Sequence, residues 1–167
     1  VLRESHSVFT PNMADCFITD DVQQFPSDRM RYNEITNEQI DALLNTRKDN
    51  NYAFAILSLL YPHLDYRYEF HKDHIHPFSK CREKGLDWEV YDTIVNLQML
   101  DGVENMSKNA KDLSDWVDSA TNADNRAQFL NSHLIPDVDL SIENSEEFWR
   151  VRRDMLAKRI RELVAGN

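Results

Sequence analysis

The stretch YRYEFHKDHIHP, residues 66–77, decides how this chain is read. Aromatic and polar side chains alternate along it, as on a strand with one buried face, until Pro77 removes a backbone donor and ends the pairing. Three of the chain's six histidines, His71, His74 and His76, fall here around Asp73. On a pleated strand His74 and His76 point to one face while His71 and Asp73 point to the other. The four therefore cannot close as a tetrahedron on one zinc ion without breaking the strand. Taken alone, the cluster reads equally as a functional site and as a strand end whose histidines only hydrogen-bond.

Working outward, Thr36 and Gln39 form a capping box ahead of Ile40, Leu43 and Leu44, which predicts a helix from about 36 to 47. NNYAFAILSLLYPHL is apolar on nearly every face and predicts a buried helix ended by Pro62. Residues 78–93 read as a loop with one short helix around DWEVYDTI, and NLQML as a second strand. A helix beginning near Asn105 is expected to bury Met106, Ala110, Leu113 and Val117. Another is expected around RAQFLNSHL, stopped by Pro136. Asn144 with Glu147 opens the last, docked through Phe148, Val151, Met155, Ile160 and Leu163. Residues 1–34 have no sustained period and contain Pro11 and Pro26, so loops with short helical pieces are expected there.

With 167 residues, of which 41% are hydrophobic and only three are glycine, the chain predicts one folded, predominantly helical α+β domain. No run of about 18 apolar residues and no signal-like N-terminus is present, so a soluble, cytoplasmic chain without membrane contact is expected. Cys16 and Cys81 form no CxxC pair, which removes support for a redox motif or a thiolate zinc site. The start at Val1 points to a piece excised from a longer protein. A net charge of −10 opposes nucleic-acid binding, although residues 144–167 hold six basic side chains, Arg150, Arg152, Arg153, Lys158, Arg159 and Arg161. A mostly solvated helix face is the expected explanation of these, ahead of a phosphate-contacting one.

The downstream segment changes the weight of the cluster. Asp73-His74-Ile75-His76-Pro77 is followed by Asn96-Leu97 and then by Asn105-Met106-Ser107-Lys108. In this order and spacing the chain resembles the HNH endonucleases. FAILSLLYP before DHIHP, NLQMLDGVEN with Lys108 and Trp116 after it, and SHLIP before an Arg-rich last helix are similar to the C-terminal nuclease region of the GmrSD-type modification-dependent restriction enzymes. The likeness covers roughly residues 36–165. It implies a ββα-metal (His-Me finger) core near residues 67–118, between an N-terminal helical part, 1–66, and C-terminal helices, 119–167. It also implies a divalent-metal-dependent nuclease that cuts or nicks DNA in defence against foreign or modified DNA. A nucleotide-binding sensor domain would be its partner in the full-length protein, since neither a P-loop nor a ParB-like motif is present here.

Under that resemblance each residue type has a chemical reason. His74, with an ordinary pKa near 6.5, is a base for water at neutral pH. Asp73 and Asn105 offer hard oxygens to Mg²⁺ or Mn²⁺, and the nine-residue spacing from Asn96 ranks Asn105 above Glu104 and Asn109 as the second ligand. Asn96 is expected to bridge the hairpin and hold the His74 backbone, and Lys108 to reach a phosphate. His71 and His76 are candidates for substrate contact or ligand support, or are inert strand-end residues. The rival is a DNA- or protein-binding module whose metal site is structural or degenerate.

Overall fold

The computed structural model describes residues 34–166, and those from Ile35 onward belong to one compact unit. The expectations for residues 1–33, Cys16 included, lie outside the described residues. Helix α1, Asn37–Leu44, begins as predicted: Thr36 Oγ1 accepts from the Gln39 backbone and the Gln39 side chain accepts from the Thr36 backbone. Helix α2, Ala53–Leu60, turns Ala53, Ile56, Leu57 and Leu60 to the core. Its other face is open, with Leu59 66% exposed, so the expectation of burial on every face is corrected.

Strand β1, Phe70–His74, pairs antiparallel with β2, Leu97–Asp101, in a register that sets Asp73 opposite Gln98 and His74 opposite Leu97. These two strands form one two-stranded sheet. Two short helices occupy the connection, α3 Phe78–Glu83 and α4 Trp88–Tyr91, where one had been expected. A single 3₁₀ turn, Ile94–Asn96, leads into β2, so Asn96 stands just before the strand.

Helix α5, Gly102–Lys108, packs on both strands. Asp101 caps it and pairs with Glu104 in a second capping box, which starts the helix three residues earlier than predicted and leaves Asn105 in its interior. Asn109 adopts a left-handed backbone, φ 47°, and ends it. The long helix predicted from Asn105 is therefore two, the second being α6, Leu113–Ala120. Met106, 75% exposed, and Ala110 both face outward, against expectation, while Leu113 and Val117 are buried as expected.

Helix α7, Arg126–Ser132, and α8, Ser145–Ala165, complete the described residues. Phe148 and Ile160 of α8 are buried as predicted, together with Trp149, Arg152 and Leu156, which the periodicity argument omitted. Arg152 lies wholly inside. Its guanidinium donates to the carbonyls of Leu134, Ile94, Val95 and Leu97 and to Tyr61 Oη. Five donors in a planar fork suit a point where several chain segments leave carbonyls unpaired. The fold class is α+β and mostly helical around this small sheet.

Candidate active site

The two faces of β1 carry two different groups of polar side chains. On the face of Lys72 and His74, the His74 ring lies with Nε2 2.8 Å from Asp92 Oδ1 and Nδ1 3.5 Å from Lys48 Nζ. A carboxylate can only accept, so Nε2 carries the proton and donates to Asp92, and the lone pair resides on Nδ1. Burial lowers the His74 pKa below its ordinary 6.5, with Asp92 acting in the opposite direction. With Nε2 donating to Asp92, the nitrogen left to act as a base is Nδ1, which faces Lys48 Nζ.

Asp92 is itself fixed. Its Oδ2 is 3.4 Å from an Arg47 guanidinium nitrogen, and Arg47 lies over the Trp88 ring. Its backbone carbonyl accepts from Lys48 N at 3.0 Å, beside the Arg47–Thr93 bridge. Sequence reasoning found neither Asp92 nor Lys48, because a 26-residue gap separates Lys48 from His74 and only tertiary folding joins them.

Asp73 projects from the opposite face, toward α5. Its Oδ2 accepts from Gln98 Nε2 at 3.1 Å and lies 2.9 Å from Lys108 Nζ. Gln98 was legible in principle, since pairing His74 with Leu97 places it across from Asp73. Lys108 is a correction. Expected to reach a phosphate, it is 0% exposed and donates instead to the His74 carbonyl at 2.7 Å and to Asp73. Burial lowers its pKa while Asp73 acts to raise it.

Asn96 is buried and its side chain is fully used. Oδ1 accepts from His76 N and Trp149 Nε1, and Nδ2 donates to the carbonyls of His76 and Tyr91. The backbone that Asn96 grips belongs to His76, not to His74 as expected. His76 is buried edge-on against Phe148, with ring centroids 4.7 Å apart, and its Nε2 has no hydrogen-bond partner. Burial pushes its pKa down to about 4. This enclosure removes His76 from any surface contact with substrate. His71 is half-buried on β1, on the Asp73 side of the pleat.

Among the described residues, no three His, Cys, Asp or Glu side chains come together around one point. A carboxylate with an amide is a different donor set, and here both members keep capacity. Asp73 Oδ1 and the Asn105 side chain make no hydrogen bond within the described residues, and Asn105 is on the helix that packs against β1. A carboxylate oxygen and an amide oxygen are hard donors, the class of ligand that Mg²⁺ or Mn²⁺ takes.

The basic face expected on the last helix is smaller than its six residues imply. Arg152 is internal. Arg150 pairs with Glu147 and Asp154, Arg153 with Asp41 and Asn45, and Arg161 donates to Asn37. No protein-family model and no curated protein matches the chain.

Proposed function

We propose that this chain is a divalent-metal-dependent DNA endonuclease domain of the HNH type, acting in defence against foreign or modified DNA alongside a nucleotide-binding sensor domain. The observation that carries the reading is His74 at the end of β1. It is held by Asp92 with its basic Nδ1 free of its own proton, beside an Asp73 whose second oxygen is unspent. His74 Nδ1 takes a proton from water, the water oxygen bonds to phosphorus, and the P–O bond to the 3′ oxygen breaks, that oxygen gaining a proton from solvent. Asp73 and Asn105 would hold Mg²⁺ or Mn²⁺, which supplies positive charge to the phosphate oxygens. Asn96 and Lys108 keep the strand end that bears His74 in one place.

Supercoiled plasmid incubated with the chain and a panel of divalent metals tests this. Cleavage should stop in EDTA, return with Mg²⁺ or Mn²⁺, and fall about 10²–10⁴-fold in His74→Ala. Cleavage that survives chelation and dialysis, or a fully active His74→Ala, would remove the reading. The ammonium of Lys108 against Asp73 favours one second reading, a binding module with a degenerate or structural metal site. Stoichiometric zinc with no turnover would select it.

A further inference from the structure

We propose that Lys48 binds the phosphate group of the substrate. The proposal rests on the nuclease reading for the identity of the anion. Lys48 follows α1 in the chain, and its backbone is tied to the Asp92 carbonyl, so its ammonium is delivered to the site from a fixed point. Nζ lies 3.5 Å from His74 Nδ1, the nitrogen that must receive the proton. Lys72 Nζ donates to the Lys48 carbonyl at 2.5 Å and brings a second positive charge to the same edge.

Neither lysine has a carboxylate within ion-pair distance among the described residues. Asp73 and Asp92 act on Lys48 from beyond ion-pair distance, while Asp92 is bonded to His74 and faces Arg47, and Asp73 Oδ2 meets Gln98 and Lys108. Two lysines on one side of the base, neither in an ion pair, offer a place for an anion. A phosphodiester is also a stronger acceptor for an ammonium than a neutral ring nitrogen, because its negative charge adds an ion–ion attraction that the neutral ring does not offer. The flexible four-carbon stem of Lys48 allows its Nζ to swing to the phosphate. That swing uncovers the Nδ1 lone pair, so the base is covered until substrate arrives. Lys108, being enclosed, has no such freedom.

The test uses the complete 167-residue chain with Lys48→Gln and Lys48→Arg, and a fluorescent short duplex in EDTA over a range of salt. Lys48→Gln should bind more weakly, with the slope of log K against log salt reduced by about 0.9, the share of one phosphate contact. Lys48→Arg should keep the slope. With Mg²⁺, Lys48→Gln should cut about 10²-fold more slowly. In DNA-free protein, the His74 Nδ1 ¹⁵N resonance should move in Lys48→Gln as the covering bond is lost. A wild-type slope in Lys48→Gln, or a wild type that does not bind duplex, overturns the proposal. An unmoved resonance overturns the covering contact. A wild type that binds duplex but does not cut it in the presence of any of the metals defeats the nuclease reading instead, while the slope still decides Lys48.

Discussion

His74 and His76 are two residues apart, share a side of the strand in a simple pleat, and end in opposite circumstances. His74 is aimed by a carboxylate; His76 is packed against aromatic rings with an unpaired nitrogen. Asp92→Asn should retain the fold but let the His74 ring choose the other tautomer, lowering plasmid cleavage by about 10²-fold or more. Wild-type cleavage in that variant would deny Asp92 its orienting role. His76→Phe keeps the edge-on packing and deletes the unpaired nitrogen. It should leave cleavage intact and hold or raise stability by about 1 kcal/mol, read from urea unfolding. A large loss of activity there would restore His76 to the site. The DHIHP run sets the two histidines side by side in sequence, but its letters do not separate these two surroundings. The difference lies in Asp92, Phe148 and Trp149, which are distant in sequence.

At the scale of elements, what could be read was what local physics determines. The capping box at Thr36 and Gln39 set the start of α1, and the aromatic alternation marked the first strand. Two errors came from local signals that compete. Asp101 and Glu104 outbid Asn105 for the start of α5, and the left-handed turn at Asn109 divided a helix that apolar spacing alone would continue. Arg152 misled for another reason, because a helical stripe of arginines does not say which member turns inward. Its four carbonyl partners flank or precede Asn96 and close the turn after α7. Arg152→Ala should cost at least about 3 kcal/mol, since several buried acceptors lose their donor together. Arg152→Lys should recover little of it, because one ammonium cannot span the same set. Chemical denaturation reads both, and a loss under about 1 kcal/mol would mean that water replaces the guanidinium without penalty.

For the molecule as a whole, buried histidines tie stability to acidity. His76 and His133 both have pKa values near 4 through burial, below the ordinary 6.5 that holds in the unfolded chain. Between these pH values the unfolded state binds a proton that the native state refuses, so stability rises with pH. The contribution is complete above about pH 6.5 and is lost as pH falls through about 4. It amounts to roughly 3 kcal/mol for each group. Melting temperature should therefore drop steeply over that interval, and less so in His76→Phe. A flat profile would contradict the neutral burial of both rings. The dependence of the Asn96 turn on α8 has a different consequence, for portability. Residues 67–118 hold both strands and α5, yet Trp149 and Arg152, which hold the turn before β2, lie more than thirty positions beyond them. A graft of that segment onto another scaffold would leave its second strand without a clasp.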